Sequence, residues 1–298
     1  MARTMRAILA NSSDQIRIVR NEFVSDIDHF LSFAELYRRS ARGYEPKGKK
    51  VITTIHHLDK RRKHRHFSHL FESCSAICVV SNQWKKHLIE VEGISHERVH
   101  VIYNGIPSKE SCASEGLLPM EPVPLEKKEA LRKEFGIPLD AFVVGHIGRD
   151  DPRKGVAEFS VALDKLGKAV FPIYFEDCSD KRGKSGLMNV GYSRFRDIYN
   201  IMDLYVISAS IEGGPVGYIE AMACEIPVIS TRVGMPVDFH PDIYLCDIGA
   251  SEQLAERISF VKDNYQDAVK KTVEIRSDLS WLTWDSCGKA YADLYAKI

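Results

Sequence analysis

The chain of 298 residues is short of three things: an ordered cysteine pattern, long apolar runs and net charge. Its seven cysteines are odd in number and include no Cys-x-x-Cys pair. That argues against a disulfide framework or a zinc site and for reduced thiols. No apolar run of eighteen residues and no signal-peptide pattern occur, so no membrane span is expected and the expected location is the cytoplasm. No internal repeat or low-complexity tract interrupts the sequence. What remains is the composition of an ordinary globular protein, long enough to bury two cores.

The segment from Ser208 to Asp238 carries the most information. The apolar run Leu204-Tyr205-Val206-Ile207 leads into a Gly-rich turn, Glu212-Gly213-Gly214-Pro215. Helical composition follows from Tyr218 to Cys224, then a strand from Pro227 to Ser230. Strand, loop, helix, strand places ligands at the carboxyl edge of a parallel sheet. The start of such a helix offers free N–H groups and a positive dipole end to a phosphate. Glu212 and Glu220, with seven residues between them, add carboxylates that suit hydroxyl groups, so a ligand with both phosphates and hydroxyls is indicated.

Upstream, Phe142 to Ile147 reads as an apolar strand ending in Gly148-Arg149, followed by Asp151-Pro152-Arg153-Lys154-Gly155 and a helix from Val156. An arginine and a lysine closing a strand-to-helix turn suit a diphosphate, the first as a planar fork of donors and the second as a compact charge. Asn189 to Tyr192 reads as a loop, Phe195 to Met202 as an amphipathic helix and Asp203 to Val206 as a strand. In the first third, Ile27 to Phe30, Lys50 to Ile55, Ala76 to Ser81 and Val99 to Ile106 read as strands, with His56 closing the second and an Asn104-Gly105 turn closing the last. Residues 107–124, with four prolines, connect a domain at 1–106 to one at 107–298. Leu125 to Phe135 opens the second domain as a helix, and alternation to about Ser277 makes that domain a doubly wound α/β sheet.

These blocks resemble the retaining glycosyltransferases of the GT-B fold, family 4. The pattern is Glu212, Glu220, Ala221-Met222-Ala223-Cys224, Pro227-Val228-Ile229 and Gly234-Met235-Pro236, in order and in spacing. The resemblance implies an α/β fold of two Rossmann-type domains, the amino-terminal one reduced, with residues 279–298 forming a last helix that crosses back to the first domain. It implies transfer of a sugar from a UDP- or GDP-sugar to a glycan, glycolipid or protein acceptor, without a metal or further cofactor. By the same resemblance Glu220 holds the ribose hydroxyls, Glu212 the hydroxyls of the transferred sugar, Arg149 and Lys154 the diphosphate, and His56 faces the reacting carbon. Gly213 and Gly214 line the donor, and Gly191 and Tyr192 offer main-chain contacts beside the base, in a stretch that equally suits a plain surface loop. The cleft between domains would close by a hinge at residues 107–124.

Three features depart from the pattern. No Gly-rich loop opens the first domain, which is shortened. Gly214-Pro215 replaces the commoner Phe-Gly, and Glu225 stands where glycine is usual. The shortened domain also admits a non-catalytic nucleotide-sugar-binding subunit that works with a partner protein. Charge is uneven: residues 1–106 hold 18 Lys/Arg against 11 Asp/Glu, an excess of seven that the remainder returns. It gathers between Arg38 and His66, above all in Lys60-Arg61-Arg62-Lys63-His64-Arg65-His66. That stretch could meet an anionic membrane surface peripherally, at about 1 kcal/mol per charge, hold a phosphorylated acceptor, or form a solvated helix face. Nucleic acid is disfavoured, because no interleaved aromatics or recognition helix accompany the charge.

Overall fold

The structure, a computed structural model, describes residues 27–32, 36–37, 50–56, 68–148, 151–176, 188–189 and 194–298. Arg149, Gly191, Tyr192 and His57 lie outside the described residues, as does the basic stretch apart from residues 50–56. Two compact units form. Unit 1 takes in the described residues up to Gly105 together with Ile211–Pro215 and Leu282–Ile298; unit 2 takes in Ile106–Ser210 and Val216–Trp281.

Unit 1 is built on four parallel strands in the order β1 (Ile27–Phe30), β2 (Lys50–Ile55), β3 (Ala76–Val79), β4 (Val99–Val101). After Lys50 every residue of β2 is buried, as the β-branched run Val-Ile-Thr-Thr-Ile requires of a parallel strand covered on both faces. One face packs α1 (Ser68–Ser73) and α2 (Asn82–Glu90) through Leu70, Phe71, Trp84 and Leu88 onto Val51, Ile55, Ile77 and Val79. Ser81 caps α2 by accepting from the Trp84 amide. The other face takes the carboxyl-terminal helix of the chain (Trp284–Lys297), whose Cys287, Tyr291 and Leu294 lie on Ile52, Ala76, Cys78 and Ile102. Each such side chain contributes about 1.5–3 kcal/mol on burial. A buried polar chain adds direction to that contact: His29 Nε2 lies 2.9 Å from Thr54 Oγ1, which lies 2.9 Å from the Tyr291 hydroxyl. Burial pushes the His29 imidazole down to about 3, so it is neutral. Gly105 is obligatory, since a Cβ there would sit 2.2 Å from the Thr283 carbonyl carbon.

Unit 2 opens with α3 (Lys109–Glu115) and α4 (Leu125–Glu134). The proline-rich stretch read as a plain connection therefore carries a helix, capped by the Ser108 hydroxyl and ended by Gly116 at φ 66°. A six-stranded parallel sheet follows. In chain order its strands are β5 (Val143–Ile147), β6 (Phe171–Glu176), β7 (Met188–Asn189), β8 (Leu204–Ile207), β9 (Val228–Thr231) and β10 (Leu245–Cys246). The helices between them are α5 (Val156–Leu166), α6 (Phe195–Ile201), α7 (Val216–Ala223) and α8 (Met235–Phe239). Two more, α9 (Ser251–Asp263) and α10 (Tyr265–Asp278), follow the sheet, and the carboxyl-terminal helix already described becomes α11.

Spatial strand order in unit 2 is β10-β9-β8-β5-β6-β7. From β5 the chain works outward through β6 and β7, then returns to β8 on the other side and works outward through β9 and β10. The order therefore reverses between β5 and β8, where the loops leaving two neighbouring strands diverge and open a crevice. Asp203 fixes that pair at its other end. Its carboxylate accepts from the Val143 amide at 2.8 Å, Arg132 at 2.7 Å and Lys128 at 2.8 Å, while Arg132 also donates to the Ile201 carbonyl. Removing Asp203 would strand a buried guanidinium, at a cost of about 3–5 kcal/mol.

Candidate functional site

At the carboxyl end of β5 the chain runs through Gly148 and returns at Asp151 into a 3₁₀ turn, Pro152–Lys154. Asp151 accepts from the Arg153 amide at 3.0 Å and pairs with the Arg153 guanidinium, so that arginine is drawn back onto its own turn. The Lys154 carbonyl accepts from two donors, His146 Nε2 at 3.2 Å and Ser208 Oγ at 3.0 Å. A carbonyl only accepts, so His146 carries its proton on Nε2. The ring is buried and stacked on Phe159, and burial pushes it down to about 4, which keeps it neutral. Next, the Ser210 amide donates to the Arg153 carbonyl at 2.8 Å. Gly155, at φ 69°, starts α5; a Cβ there would fall 1.9 Å from the Ser208 carbonyl oxygen, so only glycine lets the turn approach the loop after β8 this closely. The lysine-bearing turn, the amino-terminus of α5 and Ser208–Ser210 are thus one fastened assembly over the β5/β8 reversal.

Glu220 lies on α7, 3% exposed, and accepts from the Tyr199 hydroxyl of α6 at 2.9 Å. One turn earlier on the same helix face, Gly217 leaves room for two phenols: a Cβ there would meet the Tyr205 hydroxyl at 2.6 Å and the Tyr199 hydroxyl at 2.9 Å. The floor of α7 is held by Tyr218, whose hydroxyl lies 3.2 Å from Nδ1 of the buried His240, while His240 Nε2 donates to the Val228 carbonyl at 2.8 Å.

Within unit 1, Ile211–Pro215 follow the carboxyl edge of the four-stranded sheet. The Trp84 indole donates to the Glu212 carbonyl at 3.0 Å and the Asn104 amide to the Gly214 carbonyl at 2.7 Å. A Cβ on Gly213 would lie 1.7 Å from the His56 carbonyl oxygen, and one on Gly214 3.0 Å from Asn104 Nδ2. His56 closes β2, its Nε2 donating to the Leu31 carbonyl at 3.1 Å. His56 and the Glu212 loop are therefore neighbours within this unit. Among the described residues no cluster of three or more His, Cys, Asp or Glu is arranged to hold a metal ion, and no helix is long and apolar enough to cross a membrane.

Residues 2–110 match the model of Glycosyltransferase Family 4 and residues 187–276 that of Glycosyl transferases group 1. The fold aligns with HepE from Anabaena, solved in complex with UDP and glucose, at TM-score 0.73 over 92% of this chain and 78% of HepE, with 17% identity. The chain belongs to the family 4, group 1 glycosyltransferases of the GT-B fold. A sequence relative is the putative teichuronic acid biosynthesis glycosyltransferase TuaC of Bacillus subtilis, 37% identical over 37% of this chain and 29% of TuaC. Another is a probable sucrose-phosphate synthase of Thermosipho melanesiensis, 32% identical over 32% of this chain and 22% of the relative. The matched segments thus span less than a third of either curated relative.

Family membership makes sense of one departure. Glu225, where the family pattern has glycine, is the non-glycine residue at positive φ, 59°, among the described residues. It follows α7 as a left-handed cap, with the Ile226 amide donating to the Ala221 carbonyl at 3.0 Å, and Arg276 of α10 grips its carboxylate. The ion pair offsets part of the cost of the left-handed conformation. The sequence assigns no role to Trp84, His146, Tyr199, Ser208 and Ser210, and reads Asn104 only as part of a turn. Only Ser208 and Ser210, small polar residues at the mouth of the Glu212 turn, left a local signal.

Proposed function

We propose that this chain transfers a sugar from a nucleoside-diphosphate sugar, a UDP-sugar in the first instance, to a hydroxyl of a glycan or glycolipid acceptor with retention at the anomeric carbon. The observation that carries the reading is the assembly over the β5/β8 reversal: a lysine-bearing turn and a helix amino-terminus fastened to the loop that leads to Glu212, with the buried Glu220 one helix further on. UDP in the HepE complex supports the base, and the name of TuaC supports a glycan acceptor.

In this reading Lys154, with Arg149 and the amino-terminus of α5, balances the diphosphate charge as the bond from the anomeric carbon to the phosphate oxygen breaks. Those charges do the work that a metal would otherwise do. Glu220 holds the ribose hydroxyls and Glu212 those of the sugar, whose anomeric carbon becomes positive and oxocarbenium-like. Gly213 and Gly214 let the main chain approach the donor, His56 faces the reacting carbon, and Gly191 and Tyr192 contact the base. The acceptor oxygen bonds to that carbon on the face the phosphate leaves, and its proton passes to the departing phosphate oxygen.

Thermal unfolding with UDP, GDP, ADP and their sugar conjugates tests the donor site, because a ligand bound only to the folded state raises the midpoint. A rise with UDP that Glu220→Ala abolishes is expected. Lys154→Ala should lower transfer by about 10²–10³-fold at an unchanged midpoint. Full activity in that variant would remove the phosphate clamp. UDP binding without transfer to any acceptor, relieved by an added partner protein, would turn the reading toward a donor-binding subunit.

A further inference from the structure

The Tyr199 hydroxyl is buried with nothing to bond but its own surroundings, and it meets the one carboxylate in unit 2 that is both buried and on the donor motif. Tyr199 is fully buried and Glu220 is 3% exposed, with 2.9 Å between the phenol oxygen and Oε2. A phenol has one proton to donate, and here burial first, then the charge of Glu220, holds the Tyr199 ionisation well above its ordinary value. The hydroxyl therefore keeps its proton at ordinary pH and donates it to the carboxylate. Its direction is fixed too. The ring stands edge-on to Tyr205 at 5.4 Å between centroids, and both phenol oxygens are pressed toward Gly217, where any side chain would displace them. A glutamate side chain has three rotatable bonds, and its last torsion is broad; a rigid donor on one oxygen restricts that freedom before any ligand arrives.

We propose that Tyr199 is a positioning residue for nucleotide recognition: it sets the orientation of the Glu220 carboxylate so that the ribose hydroxyls of the donor meet it already aligned. The role rests on the reading that Glu220 holds those hydroxyls. Gly217 belongs to the same device, as the residue whose missing side chain lets the phenol reach the carboxylate. The ligand class is a ribonucleoside diphosphate, and the device is blind to a nucleotide that lacks both ribose hydroxyls.

The test compares UDP with 2′,3′-dideoxy-UDP by titration calorimetry on the wild type, Tyr199→Phe and Glu220→Gln. Wild type should prefer UDP by about 10²-fold, since a buried polar group built for a hydroxyl rejects the analogue without it. Tyr199→Phe should weaken UDP by about 5–20-fold, the loss of one hydrogen bond to a charged group, and leave dideoxy-UDP within twofold. KM for the UDP-sugar should rise in step while kcat stays within threefold. Equal weakening of both nucleotides in Tyr199→Phe would reduce the residue to a structural part and overturn the proposal, as would unchanged UDP binding. If Glu220→Gln keeps the wild-type preference, Glu220 does not read the ribose and the underlying assignment fails first. Should Tyr199→Phe not fold, the same question is put to wild-type protein labelled at the tyrosine ζ-carbon. The Tyr199 signal should move with UDP and stay put with dideoxy-UDP, and the same shift with both overturns the proposal.

Discussion

Glu212 takes its position from main-chain contacts, whereas Glu220, eight residues later, is gripped by its side chain. Glu212 is half-buried, its carbonyl bound by the Trp84 indole and its neighbours Gly213 and Gly214 pressed against the His56 carbonyl and Asn104. Glu220 is buried, with Tyr199 on its carboxylate. A residue seated by its main chain suits a ligand group that changes geometry during reaction, as a sugar ring does. One gripped from behind suits a ligand group that stays the same from binding to release, as a ribose does.

Acid should break the comparison with the largest effect. His146 holds the Lys154 turn and His240 the floor of α7; burial pushes both down to about 4. The unfolded chain takes up protons below pH 6.5 that the folded protein refuses, so the stability these groups allow is complete above that pH and falls toward 4. At pH 5 the loss is about 2 kcal/mol for each, about 4 kcal/mol together in unit 2, and His29 adds about 2 kcal/mol in unit 1. The donors to the Glu212 loop, an indole and an amide, do not titrate there. Urea midpoints at pH 7 and 5 measure the loss, and amide exchange should show α7 opening before residues 211–215. The reverse order would sink the contrast.

Next in size come the glutamates themselves. Glu220→Gln should raise the Kd for UDP by about 10-fold or more, while Glu212→Gln should leave it unchanged and lower kcat by about 10²-fold, or about 2.7 kcal/mol of transition-state stabilisation. Equal effects on binding and turnover in both variants would erase the distinction. A smaller change sharpens it: Trp84→Phe removes the donor to the Glu212 carbonyl, worth about 1 kcal/mol, and should lower kcat about fivefold without moving the Kd for UDP. Smallest is Glu225→Gly, which relieves a left-handed residue at the end of α7 but gives up the Arg276 ion pair. A net gain of about 0.5 kcal/mol is expected from chemical denaturation.

The fold was largely legible because parallel strands buried on both faces write themselves as short β-branched runs, and β2, β5 and β8 fall where those runs do. The Lys154 turn and the two glutamates stand out locally, on elements the sequence punctuates with glycine and proline. Their holders do not. Trp84 reaches a carbonyl 128 positions away, and Asn104 one 110 away. Tyr199 is the one hydroxyl-bearing residue of Phe195–Ile201, but nothing in that segment marks that it turns toward α7. The helix Lys109–Glu115 was hidden by the prolines around it, although Ser108 and Gly116 are ordinary cap residues.

Ile211–Pro215 belong to unit 1, while the chain on either side belongs to unit 2. The second unit is thus not a cassette. Cut out as residues 106–281, it would carry five residues shaped for a seat left behind, with Gly213 and Gly214 open to solvent and Glu212 deprived of the indole that holds it. The same holds for chimaeras: exchanging the second unit between relatives succeeds only if Trp84, Asn104 and the carbonyl of His56 travel with the loop, so these positions and the glycine pair are expected to be inherited together.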